Sequence, residues 1–284
     1  MGELKQTQKD QAQKDQTQKD HKGNDVFENM PIGSALRAMI VPTIISQIIV
    51  LIYNMADTFY VGRTNNPYMV AGASLILPVF NITLCLAGLA GIGGGALVSR
   101  LLGQKRVDEA RRTGTFSLYL AIGVSAVFAL IMGVFMDPIL MLLGAGEHTL
   151  VFARQYSFFV IVLGGIPTVL SNVMSNLIRS VGYSSEAGIG ITLGGLLNIA
   201  LDPLFMFVIL PKGYEVMGVG IATFLSNCIA CVYFFIVTAR MGKESVITLS
   251  LKNGLPKKER MLAVLTVGIP SGVSTFLFDL DYIV

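Results

Sequence analysis

The chain has 284 residues, of which 53% are hydrophobic and only 14% charged, against about 25% charged in an ordinary soluble domain. Its length would suit two soluble domains, but a mean hydropathy of +0.66 overrides that and points to a membrane protein. The net charge of +3 calls for no nucleic-acid partner, because the basic residues sit where membrane topology places them.

Residues 1–30 are low-complexity, with Gln6–Asp10, Gln11–Asp15 and Gln16–Asp20 forming a five-residue repeat. The tract has no apolar face to bury and is expected to be a disordered cytoplasmic tail. Seven apolar stretches follow, at about 38–62, 69–98, 114–136, 151–178, 187–210, 217–239 and 261–284. Each is near or above the ~20 residues a helix needs to span a bilayer, and none shows the short alternating segments of a barrel. With the N-terminus inside, every Lys and Arg except Arg63, Arg154 and Lys212 falls on an inner segment. That bias sets the orientation and makes the first membrane helix an uncleaved insertion signal.

The expected fold class is therefore an all-α polytopic membrane protein. A six-helix transmembrane lobe covers 31–240, a cytoplasmic loop 241–260, and a seventh helix 261–284. Pro31…Arg37…Pro42-x-x-x-Ser46 is weakly echoed by Pro256…Arg260…Pro270-x-x-x-Ser274, so the seventh helix is read as the start of a second, incomplete lobe. The apolar run reaches Val284 with no polar flank, and the sequence is expected to be part of a longer protein.

Asp57 lies in the first apolar stretch, where a carboxylate costs roughly 2.5–3.5 kcal/mol on insertion scales. Asp202 in the fifth stretch and Thr223 in the sixth lie at a similar depth, ~8–12 Å inside the outer end at 1.5 Å per residue. Asn198 and Asp202 are i, i+4 and share a face, as do Tyr53, Asn54 and Asp57. Two carboxylates, an amide and a hydroxyl form an oxygen-rich site suited to a small hard cation or to shared protons. Pro42, in the inner half of the first helix, is expected to kink it and to act as a hinge. Ser171, Asn172, Ser175 and Asn176 make a polar stripe on the fourth helix, either lining a cavity or joining helices.

Three other features are read as structural. The glycine-rich run from Gly88 to Gly95 is embedded in an apolar helix with no preceding strand, so it is assigned to close helix packing and not to a nucleotide loop. Cys228 and Cys231 have C-x-x-C spacing without a second pair or a redox context, and with Cys85 they are taken as packing residues. His148 and Glu147 fall in an outer loop without metal partners. Asp279 and Asp281 are left without a role.

In order along the chain, Pro42…Tyr53-Asn54-x-x-Asp57-x-x-Tyr60-Val-Gly62, then Ser99-Arg-x-Leu-Gly103, Arg179-Ser-x-Gly182, Asn198-x-x-x-Asp202-Pro203 and Gly218-Val-Gly-Ile-Ala-Thr223 resemble the first half of multidrug and toxic compound extrusion (MATE) transporters. The resemblance covers about 31–284. It implies a twelve-helix, two-lobe antiporter, not an enzyme, that exports organic, mostly cationic molecules in exchange for H⁺ or Na⁺ by alternating access in the cell membrane. It implies Asp57, Asn198, Asp202 and Thr223 as the cation site, with Na⁺ as the only metal that would enter there. Tyr53, Asn54, Asn172 and Asn176 would line the substrate cavity, Pro42 would be the bending point, and no cofactor would be needed beyond the coupling ion. A missing second lobe would be required for transport. Two alternatives carry different expectations: a lipid-linked oligosaccharide flippase of the same superfamily would carry more cationic residues in its cavity, and an intramembrane aspartyl protease would carry Tyr-Asp and Gly-x-Gly-Asp motifs, which are absent here.

Overall fold

Proline and glycine set the breaks in this helical chain. The computed structural model describes residues 31–241, 247–248 and 254–280; the five-residue repeat and Asp281 lie outside them. The elements are α1 (Ile32–Gly62), α2 (Pro67–Ser74), α3 (Leu77–Gly103), α4 (Val107–Val134), α5 (Met136–Leu142), α6 (Glu147–Ser157), a π-helical turn (Phe158–Leu163), α7 (Gly165–Ser180), α8 (Ser184–Leu204), a second π-helical turn (Phe205–Ile209), α9 (Glu215–Arg240) and α10 (Lys258–Leu280). Five spans among the described residues are long and apolar enough to cross a membrane, and the bent pair formed by α6 and α7 makes a sixth. The seventh expected stretch is α10.

The fourth stretch is not one straight helix. Its halves meet at 47°, and Pro167 in the first turn of α7 explains the break. Proline has no N–H for the carbonyl of Leu163, and its ring crowds that carbonyl. Gly164 takes the bend, since a Cβ there would sit 2.6 Å from the oxygen of Val160. Pro203 likewise precedes the second π-helical turn.

Small residues seat the helices against one another. In α3, a Cβ on Gly91 would meet Asn176 and the backbone of Val173 in α7, one on Gly94 would strike Ser117 in α4, and one on Gly93 would strike the backbone of α10. The glycine run of 88–95 is thus a helix that three neighbours approach closely. In α8, Gly188 and Gly195 face α1, while Gly190 and Gly194 face α9. The main core joins Leu97, Val98 and Leu101 of α3 with Leu118 of α4, Val173, Met174 and Leu177 of α7, and Phe234 of α9. Cys85, Cys228 and Cys231 are free thiols.

The basic end of the bundle is tied by polar contacts. Glu109 pairs with Arg106 in its own turn and with Arg260 of α10 at 3.2 Å. Ile247, after α9, is buried in the main core, and the Thr115 hydroxyl donates to the carbonyl of Thr248 at 2.9 Å. At the opposite end, Arg154 of α6 forms a two-pronged pair with Asp137 at 2.9 and 2.5 Å.

Candidate cation site and cavity

α1 leans on α8 through two glycines. A Cβ on Gly188 would lie 3.0 Å from the Pro42 carbonyl oxygen; one on Gly195 would lie 3.0 Å from Ile49 and 3.1 Å from the Tyr53 ring. That close approach carries Asp57, one turn beyond Tyr53, toward Asp202 on α8. The two carboxyl groups come within hydrogen-bonding reach of each other. Asp202 is fully buried and Asp57 half-buried.

Asn198, one turn before Asp202, joins the third helix. Its Nδ2 donates to Asp202 Oδ1 at 3.4 Å and to Thr223 Oγ1 of α9 at 3.2 Å. Three further oxygens here, Asp57 Oδ1, Asn198 Oδ1 and Asp202 Oδ2, are buried with no hydrogen-bond partner. Buried oxygens are rarely left unpaired, and such a set matches the all-oxygen shell of a hard cation, or protons held between carboxylates. All four residues expected as the cation site thus meet in one place.

Beside them lies a cavity of about 320 Å³ lined from α1, α3, α7, α8 and α9. Tyr53, Asn54, Asn172 and Asn176 all line it, and so do Asn198 and Thr223. Asp57 and Asp202 do not: they stand behind the wall that Asn198 and Thr223 form. The asparagines of α7 spend their amide nitrogens on the helix itself, Asn172 on the Thr168 carbonyl and Asn176 on the Asn172 carbonyl, each at 2.9 Å. Pro42 is not at the cavity. It sits inside a continuous α1, against Gly188.

Sequence reasoning missed several residues. Tyr156 of α6, partly buried, is close enough to the carboxylates to feel the charge of both; in sequence it is one aromatic among many. Gln47, Arg179, Ser226 and Asn227 also line the cavity. Arg179 is legible in principle, because it extends the stripe of Asn172 and Asn176 by three residues. Among the described residues, no group of three or more His, Cys, Asp or Glu side chains is arranged to hold a metal ion.

A family model described as MatE matches residues 42–204. The chain belongs to the MatE family. The matched segment holds Asp57, Asn198 and Asp202. Over 253 residues the chain is 30% identical to the multidrug export protein MepA of Staphylococcus aureus (strain NCTC 8325 / PS 47), covering 88% of this chain and 54% of that protein. It is also 30% identical to MepA of Staphylococcus saprophyticus over 262 residues, covering 91% and 56%. Its fold is similar to a crystal structure of MATE in the straight conformation, with a TM-score of 0.80 at 26% identity, covering 89% and 55%. Outward-facing and inward-facing conformations of a multidrug resistance MATE family transporter match with TM-scores of 0.77 and 0.74, again at 26% identity, covering 84% and 51%, and 85% and 55%. The chain spans about half the length of the curated relatives it matches. These relatives are transporters, so the MatE chain is a multi-pass membrane protein and not an enzyme.

Proposed function

We propose that this chain supplies the N-terminal lobe of a cation-coupled exporter of organic, mostly cationic molecules, with H⁺ or Na⁺ as the coupling ion. The observation that carries the reading is the meeting of Asp57 and Asp202 behind the Asn198–Thr223 wall of a polar cavity. Asp57, Asn198, Asp202 and Thr223 bind the coupling cation, and Tyr53, Asn54, Asn172 and Asn176 contact the transported molecule. Because Asn198 and Thr223 touch both compartments, an ion that draws their oxygens inward alters the cavity wall. That gives ion and substrate a means of competing, which antiport requires.

Pro42 is the bending point of α1, the helix that carries Asp57 and Tyr53. Loading the carboxylates alters how tightly α1 holds α8, and alternating access follows from that choice of positions. A second lobe completes the pathway, in a cell membrane with the N-terminus cytoplasmic. The names of the MepA relatives support export of several drugs, and the basic-residue bias supports the orientation.

The test is ethidium efflux from cells expressing the complete open reading frame, with the pH and Na⁺ gradients collapsed one at a time. Efflux that stops with one gradient names the coupling ion. Efflux indifferent to both gradients would remove ion coupling from the reading.

A further inference from the structure

One charged side chain lines the cavity, and it is a cation. Thr168, Ser171, Asn172, Ser175, Asn176 and Arg179 recur every three or four residues along α7 and all face the cavity, a stripe ~16 Å long at 1.5 Å per residue. No Asp or Glu is among the lining residues. Arg179 Nε is buried and has no hydrogen-bond partner. Buried arginines normally sit in a fork with a carboxylate or with carbonyl oxygens, because an unpaired charged donor is costly.

Its position separates it from the aspartates. α7 and α8 run antiparallel across the short turn Val181–Tyr183, and Arg179 lies beside that turn. Asn198 stands about 14 residues into α8, ~21 Å from the turn. The cavity therefore has two poles, with carboxylates behind the wall at one end and a guanidinium open to the space at the other.

We propose that Arg179 is an oxyanion subsite. It takes the carboxylate or phosphate group of an amphipathic molecule whose cationic end lies toward Asn198 and Thr223. The planar guanidinium matches either oxyanion in a two-pronged geometry, and a lysine would match it less well. This rests on reading the cavity as the substrate cavity.

The experiment uses two dyes that share a chromophore: rhodamine 123, a cationic methyl ester, and rhodamine 110, its zwitterionic free acid. Their affinities for the purified full chain in detergent are read by fluorescence anisotropy, with no ion gradient. Arg179→Gln should weaken rhodamine 110 roughly tenfold, the scale of losing a charge-assisted hydrogen-bond pair, and leave rhodamine 123 within about twofold. Arg179→Lys should recover part of the loss. Equal affinities for rhodamine 110 in all three proteins would overturn the subsite while leaving the cavity reading intact. Parallel loss of both dyes with a lowered thermal midpoint would assign Arg179 a structural role instead. Failure of both dyes to bind the unmodified chain would remove the cavity reading itself, and the subsite with it. Displacement of rhodamine 110 by dioleoyl phosphatidic acid but not by benzoate would assign the oxyanion to a lipid headgroup; the converse would assign it to a soluble carboxylate.

Discussion

Asn198 donates one amide nitrogen to both Asp202, at 3.4 Å, and Thr223, at 3.2 Å. It thereby ties a side chain of α8 to one of α9, and all three residues are buried. Truncating it strands a carboxylate oxygen and a hydroxyl where water is scarce, at a cost of about 1–3 kcal/mol. Asn198→Ala should therefore lower the thermal midpoint of the purified chain, and Asn198→Asp, which adds a third acid to the cluster, should lower it further at neutral pH. A midpoint unmoved by Asn198→Ala would mean that the two bonds contribute nothing to holding α8 against α9.

The aspartates should behave in the opposite way. Two carboxyls brought together in a buried site repel one another when both are ionised, and each pays for lost hydration. Asp202→Asn keeps an oxygen to accept from Asn198 while removing the charge. The expected thermal midpoint is equal to or above that of the unmodified chain, although gradient-driven ethidium efflux by the complete protein falls to background. Asp57→Asn should abolish efflux as well, and the double variant should lose nothing more, as for residues acting as a unit. Strong destabilisation by either single change would recast the pair as structural.

Periodicity and charge made the helices legible. The six spans and the polar faces of Asn198–Asp202 and Tyr53–Asp57 follow from residue spacing, and that spacing holds whatever the helices pack against. What stayed hidden depends on contacts between distant residues. The 47° bend between α6 and α7 needs Pro167 to fall where Leu163 loses its bond, within a run hydrophobic enough to pass for one helix. The wall of Asn198 and Thr223 between aspartates and cavity, and the approach of Tyr156 to both carboxylates, arise only when α1, α6, α8 and α9 are assembled. Arg179 sits near a helix end, where a basic residue ordinarily anchors topology, and only the assembled bundle buries its Nε against the cavity.

Gly190 gives a sharper test of the packing that holds the site. A Cβ there would lie 2.4 Å from two atoms of the Phe234 ring, and that ring is fully buried in the main core. Gly190→Ala gains up to ~1 kcal/mol of helix propensity but forces an overpacking cost of about 1–3 kcal/mol, so the net effect should be destabilising. A Tyr233 ring atom would stand 2.8 Å away as well, so only in a Tyr233→Ala/Phe234→Ala background is the space clear, and there the same change should become stabilising. That reversal of sign, read as thermal midpoints in a mutant cycle, isolates the α8–α9 contact. Additive effects would mean that the rings can swing clear.

The contact between Pro42 and Gly188 tests whether α1 bends as part of the cycle. α1 is continuous through Pro42, yet the proline leaves the Ala38 carbonyl without its helical donor, and Ala38 lies on the exposed side of the helix. The next turn is pressed against α8, because a Cβ on Gly188 would stand 3.0 Å from the Pro42 oxygen. Pro42→Ala restores the missing bond and should stabilise the chain by up to ~3 kcal/mol, the propensity difference between the two residues. If bending drives the exchange of access, that stiffer helix should carry ethidium more slowly while the dye still binds with unchanged affinity. Gly188→Val should act from the other side, wedging α1 off α8 at the same level and lowering both stability and efflux. Raised stability with undiminished efflux in Pro42→Ala would make the proline a static irregularity, and the motion would then have to be sought at the two π-helical turns, which follow α6 and α8.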